Sequence, residues 1–318
     1  MATSEQIKSL IRAHIDRDDD RFKTVSLQIA AYEAKIGHTQ FARDIKKLTE
    51  SMAHGKNNVI SIGKVNPMFS MSVPSEKLSH LVVSDELSMR IERILNEYRN
   101  QNKLKKFGLQ NRRKILIEGH PGTGKTFTAS IIASELNLPL FSVQMDKVVT
   151  KFMGETSVKL RQIFDSISAT VGVYFFDEFD AIGADRNLDN EVGEARRILN
   201  SFLQYIEQDE SQSIIIAATN NQKLLDQALF RRFDDVLHYT LPTKPEIKRL
   251  YEKQIHSFDK CYVVSDRLID LSDGLSQAEI IRVCDDAIKN SILSGQKICE
   301  REISLLISER KNAYSKEA

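Results

Sequence analysis

Apolar and polar positions along this chain follow two periods, and the points where they switch predict its organisation. Over residues 1–53 the period is helical throughout. Ile7, Leu10, Ile11 and Ile15 share one face; Phe22, Val25, Ile29 and Ile36 a second; Phe41, Ile45 and Leu48 a shorter third. Asp18-Asp19-Asp20 supplies turn and N-cap chemistry between the first two helices, and Gly37 a C-terminal stop. Three such helices make a small bundle with a thin core. It suits packing or oligomerisation as well as it suits an adaptor that docks another protein. Residues 54–80 collect Gly55, Asn57, Asn58, Gly63, Pro67 and Pro74, the composition of a linker with one short strand over 59–62.

From residue 81 the pattern changes. Leu81-Val82-Val83 leads into a helix with Leu87, Ile91, Ile94 and Leu95 on one face. Short apolar runs then alternate with helical stretches. The runs are 114–117, 140–143, 173–176, 214–218 and 236–239; the helices begin near Phe127, Val158 and Ala195. Near-continuous apolar strands alternating with helices predict an α/β fold, a parallel sheet covered by helices on both faces, with its ligand at the carboxyl ends of the strands. From Pro242 the period is helical only, through Ile247, Leu250 and Tyr251, Leu268 and Leu271, 278–288 and 303–307. The boundaries that follow are a helical bundle over 1–53, a linker over 54–80, a large α/β domain over 81–241 and a small all-helical domain over 242–318.

Composition narrows this little. The chain has 318 residues, 41% hydrophobic and 28% charged, ordinary for a globular protein with a real core. A net charge of +1 supplies no global field toward nucleic acid or anionic lipid. The three cysteines, Cys261, Cys284 and Cys299, form no C-x-x-C, which predicts reduced thiols in a cytoplasmic protein. There is no apolar run of 18 residues and no signal-peptide core, so no membrane partner is expected.

The chemistry concentrates where strands end. Gly119-His120-Pro121-Gly122-Thr123-Gly124-Lys125-Thr126 sits between a strand and the helix opened by Phe127, the context that G-x-x-x-x-G-K-[ST] requires. Glycines let backbone N–H groups cradle phosphates, and the helix N-terminus adds its positive dipole end. Lys125 is placed to reach the β- and γ-phosphates, and Thr126 to ligate Mg²⁺. Two adjacent carboxylates, Asp177 and Glu178, end the next buried strand; Asp177 suits the metal and Glu178 the attacking water as general base. Asn220 ends another buried strand, and in a parallel sheet it would lie beside the phosphate loop. Arg231 and Arg232 precede the last strand, and planar guanidinium groups suit phosphate recognition.

On these residues the chain resembles the AAA family of AAA+ ATPases, over about residues 80–295. Gly119–Thr126 matches Walker A, with His120 where a second proline is common. Val173–Glu178 matches Walker B, and Asn220 matches sensor 1. The run 225–234 resembles the second region of homology. There Arg231 and Arg232 would be arginine fingers inserted into the neighbouring subunit's site, although here they are adjacent where many members separate them. Lys151-Phe152-Met153-Gly154 resembles the aromatic pore loop of protein-translocating members, and 185–193 sits where a second pore loop would be; a plainer reading packs Phe152 at the start of the following helix. Gly274–Glu279 resembles the sensor-2 segment, with Gln277 for its second glycine and no arginine directed at phosphate. Ile247 and Ala278, with Leu81, Val82 and Val83, would flank the adenine.

The resemblance implies ATP and Mg²⁺ as cofactors. It implies a homo-oligomeric ring, taken as a hexamer, that threads or disassembles protein substrates. There is no H-E-x-x-H zinc-protease motif in the chain; the N-terminal pattern also resembles compact bacterial members encoded beside a protease, so a separate protease partner fits. A nucleic-acid motor or loader and a nucleotide-switched scaffold stand as alternatives. The near-zero charge argues against the first, and Glu178 with an arginine pair against the second.

Overall fold

A computed structural model describes residues 7–11, 19–36, 38, 40–45, 49, 67–148, 155–179, 191–220 and 230–315. The expected strand at 59–62, Lys151, Phe152, Met153 and Gly154, residues 185–190 and 225–229 lie outside the described residues. The chain divides into two compact units, Met1–Val65 and Asn66–Ala318.

In the first unit the main element is α1 (Asp19–Lys35), with shorter helical stretches at 7–11 and 40–45. Asp19 and Asp20 fall inside α1 rather than before it. Val25, Ile29, Ala30 and Ala42 are buried, whereas Ile7, Ile11, Ile36 and Phe41 are exposed. Its core is therefore thin, as the small size demands.

The second unit is built on a six-stranded sheet. In chain order its elements are β1 (Phe69–Ser72), α2 (Asp85–Arg99), α3 (Gln101–Lys106), β2 (Lys114–Gly119), α4 (Lys125–Glu135), β3 (Leu140–Val143), α5 (Met145–Val148), α6 (Glu155–Ala169), β4 (Val173–Phe176), α7 (Glu191–Gln208), β5 (Ile214–Thr219) and β6 (Asp235–Tyr239). The helices α8 (Lys244–His256), α9 (Asp266–Leu271), α10 (Gln277–Ser294) and α11 (Glu300–Ser315) follow. The strand order is β1-β3-β4-β5-β2-β6. β2 to β6 are mutually parallel, and β1 runs antiparallel to β3.

β1 corrects two expectations, since residues 67–80 are not all linker and the sheet is not wholly parallel. Phe69 lies edge-on to Phe141 (6.0 Å) and Tyr174 (5.6 Å), and the Gln144 N–H donates to the Met68 carbonyl at 2.9 Å. These partners are 70 residues or more away in sequence, so local composition did not reveal them. The short helix α3 was also not expected.

Strand side chains alternate between faces. Ile115, Ile117, Phe175, Ile214, Ile216 and Leu237 share one core with Leu87, Ile91, Ile94 and Leu95 of α2 and Ala129 and Ile132 of α4. On the other face Phe176 meets Phe202 of α7 at 5.0 Å, and Phe164 of α6 meets the same Phe202 at 5.8 Å. The C-terminal helices enclose their own core around Ile247, Tyr251, Ile280, Cys284 and Ile303. Among the described residues no helix is long and apolar enough to cross a membrane.

At the amino end of β2, Arg113 is buried and pairs with the Asp209 carboxylate and the Asp209 carbonyl. Breaking a buried pair leaves an uncompensated charge. Arg113→Leu is expected to lower the apparent unfolding free energy by about 3 kcal/mol, read from a urea titration. An unchanged midpoint would mean that the Ser211 hydroxyl, 3.1 Å from the same carboxylate, satisfies Asp209 alone.

Candidate functional site

Because β4, β5 and β2 are adjacent and parallel, their carboxyl ends bring Asp177, Asn220 and Gly119 together. The turn after β2 depends on glycine. Gly119 has φ +150°, and a Cβ there would lie 2.3 Å from the Tyr239 carbonyl oxygen, so a side chain would push β6 off the sheet. Gly122 has φ +75°, and a Cβ there would meet the Ser276 hydroxyl at 2.6 Å. The Ala278 N–H donates to the Gly122 carbonyl at 2.9 Å, so the N-terminus of α10 sits directly on the loop.

Lys125 opens α4, and its side chain is buried. Its ammonium donates to the carbonyls of Gly119 and His120, each at 2.8 Å, and to Asn220 Oδ1 at 2.7 Å. The Thr123 hydroxyl donates to the His120 carbonyl at 2.7 Å. One cation thus ties the loop to itself and to the end of β5. Beneath the loop, Thr128 and Tyr239 share a hydrogen bond, and burial holds the Tyr239 phenol far above its usual pKa.

The loop forms the floor of a cavity of about 530 Å³. Its polar end holds Thr123, Lys125, Thr126, Asp177, Glu178 and Asn220. The Thr126 hydroxyl donates to Asp177 Oδ2 at 3.2 Å, and the Glu178 N–H donates to Asp177 Oδ1 at 3.0 Å. Glu178 has φ +49°, a left-handed conformation that costs a non-glycine residue energy and recurs at functional sites. Among the described residues no group of three or more His, Cys, Asp or Glu could hold a metal. A cation here would therefore take one hydroxyl and one carboxylate from the protein and the rest from phosphate and water, which suits Mg²⁺.

The other end of the cavity is apolar, with Leu81, Val82, Leu250, Ala278 and Ile281. Val82 and Ala278 line this cavity; Val83 and Ile247 do not. Val83 belongs to the sheet core, and its carbonyl accepts from Arg249 at 2.9 Å. Ile247 is fully buried in the core of the C-terminal helices; Leu250, three residues on, belongs to the same core and also lines the cavity. Gly119 and His120 contribute carbonyls to Lys125 rather than lining the cavity, while Pro121, Gly122, Gly124 and Phe127 line it. Arg282 and His80 also line it and were missed, although Ile281 and Arg282 lie three and four residues after Ala278 and so share its helix face. The 274–279 segment contains no arginine, in line with its sequence; Arg282, further along α10, reaches the cavity wall.

Arg231 and Arg232 are elsewhere. β6 starts at Asp235, opposite Ile115 near the start of β2. The arginines therefore lie at the amino ends of the strands, roughly 17 Å from the phosphate loop at about 3.3 Å per residue. They are not among the residues lining the cavity.

A family model described as "ATPase family associated with various cellular activities (AAA)" matches residues 115–241. The chain is 33% identical to an AAA family ATPase, y4kL, of Sinorhizobium fredii, over 96% of this chain and 94% of that protein. It is 32% identical over 62% of its length to a putative 26S proteasome regulatory subunit homologue of Methanothermobacter marburgensis, and 29% identical over 93% of its length to the ATP-dependent zinc metalloprotease FtsH of Parabacteroides distasonis. It spans 55% and 45% of those two proteins.

Lys125→Met removes the ammonium from the phosphate end of the cavity. ATP affinity is expected to fall about 100-fold, or roughly 3 kcal/mol, in a fluorescent-nucleotide titration. Affinity within threefold of the parent would place the phosphates elsewhere.

Proposed function

The chain belongs to the AAA family of ATPases, and we propose that it hydrolyses ATP within a ring of identical subunits, taken as a hexamer, to remodel, unfold or disassemble protein substrates. The observation that carries the ring is the distance between each subunit's cavity and its own Arg231 and Arg232, a strand's length apart at opposite ends of the sheet. The arginines can serve a nucleotide only if that nucleotide belongs to a neighbour.

In this reading Glu178 takes a proton from water as the water oxygen attacks the γ-phosphorus and the bond to the bridging oxygen breaks. Lys125 and Asn220 hold the phosphate end in place, and Arg231 and Arg232 of the next subunit meet the charge that develops. Thr126 and Asp177 would hold Mg²⁺, which neutralises phosphate charge when bound. Leu81, Val82, Leu250 and Ala278 form an apolar slot suited to a base.

Polypeptide as substrate is supported by relatives named as a proteasome regulatory subunit homologue and as an ATP-dependent protease. Phe152 and Met153 of the 151–154 segment would grip the chain by apolar contact, which needs no sequence readout. No H-E-x-x-H lies within these 318 residues; a protease supplied by a separate polypeptide fits this reading.

ATPase rate per subunit is expected to rise with protein concentration, in step with a light-scattering mass that grows toward a ring with ATP. A constant rate from a monomer would overturn the shared site. Phe152→Ala is expected to retain the parent ATPase rate and lose most remodelling of a fluorescent protein substrate; full remodelling by that variant would remove the segment from substrate handling.

A further inference from the structure

The segment that carries the two arginines is fixed at its base. Phe233 is buried. The Asp234 carboxylate accepts from the N–H groups of Arg113 and Lys114 at 2.9 Å each, and the Asp234 N–H donates to the Lys114 carbonyl at 2.7 Å. Asp235 pairs with Arg90 and Arg112. The backbone of this segment is thus pinned to the amino end of β2, and only the two arginine side chains retain freedom.

They retain different amounts of it. Arg231 is exposed and has no partner among the described residues. Arg232 is 30% exposed and forms an ion pair with Glu207 of α7, Nε to Oε1 at 2.9 Å. Glu207 meets the guanidinium at its Nε edge. Among the described residues the two terminal nitrogens of Arg232 have no partner, and they form the half of the fork that suits a phosphate. The helix that carries Glu207 is well supported, while the Glu207 carboxylate itself is 51% exposed. Glu207 lies in the last turn of α7, its carbonyl accepts from Lys114 Nζ at 3.4 Å, and α7 is anchored through Phe202, 4.8 Å from Phe179 and 5.0 Å from Phe176. The carboxylate also offsets the repulsion between two adjacent guanidinium groups.

We infer that Glu207 is a positioning residue for ATP hydrolysis: it holds the Arg232 side chain in one orientation and leaves its terminal nitrogens to meet the nucleotide of the adjoining subunit. This rests on the shared-site reading above. An exposed ion pair adds little to stability. Its effect here is to remove, before the reaction, the side-chain freedom that an unheld arginine would lose at the transition state. It also separates the two arginines: Arg232 is pre-oriented, and Arg231 has to be ordered by the neighbour.

The test is steady-state ATPase on assembled protein for Glu207→Gln, Arg232→Ala and the double variant, with the mass and melting temperature of each. Glu207→Gln is expected to lower kcat by about 3- to 5-fold, with KM for ATP within twofold and mass and melting temperature unchanged. The double variant is expected to be no slower than Arg232→Ala alone, and Glu207→Asp to recover part of the loss. If Arg232→Ala is impaired but Glu207→Gln turns over at the parent rate, the inference fails and the shared site stands. If the two losses multiply in the double variant, Glu207 acts by another route and the inference fails. If Arg232→Ala keeps the parent kcat in the assembled state, Arg232 is not a finger and both readings of it fall.

Discussion

The ammonium of Lys125 is the contact on which the rest of the site depends. A buried cation is costly unless it has acceptors, and this one has two loop carbonyls and the amide oxygen of Asn220. Asn220 is within reach only because β2 and β5 are neighbours in parallel register, with Glu118 opposite Thr219. The register in turn rests on the continuous apolar runs of both strands and the helices that bury them. The order of dependence therefore runs from strand composition to sheet order, from sheet order to the convergence of three strand ends, and from there to a positively charged floor that favours phosphate.

Much of this was legible in the chain. The strands from β2 to β6 are legible to within two residues of their ends because the central strands are buried and nearly continuous in apolar residues, β4 and β5 most of all. The phosphate loop was legible because its glycines are required by backbone geometry, as Gly119 against Tyr239 shows. β1 was not legible: its order comes from pairing with a distant strand and from Phe69 lodging against Phe141 and Tyr174, while its flanking Pro and Gly residues read as linker. The apolar wall of the cavity was only half legible. Helical periodicity says that Ile247 and Leu250 are both inward, as they are, but that Leu250 also reaches the cavity depends on how α8 is rotated against the sheet. The same holds for Arg282, whose place is set by the docking of α10.

That docking joins the two cores of the second unit. Ser276 and Glu279 close a capping box at the start of α10, which leaves the Ala278 N–H free to reach the Gly122 carbonyl. A nucleotide in the cavity would touch residues of the sheet layer and of α8 and α10 together. Were its affinity to differ between arrangements of the two, its presence would favour the tighter-binding one. The fold thus supplies a physical route from what the cavity holds to the set of the C-terminal helices.

The placement of the phosphate loop and the arginine pair at opposite ends of the same strands has a genetic consequence. If the arginines act on a neighbour's nucleotide, as proposed, contacts between copies join unlike surfaces, the assembly has a direction, and an open run of copies leaves one site incomplete until it closes on itself. A copy with a sound cavity but faulty arginines would assemble and hydrolyse with help from its neighbour, while silencing the copy it faces. In a cell producing sound and faulty chains together, the damage would fall on the sound ones. Mutations at the arginine end of the sheet would behave as dominant, and those that prevent folding would be recessive.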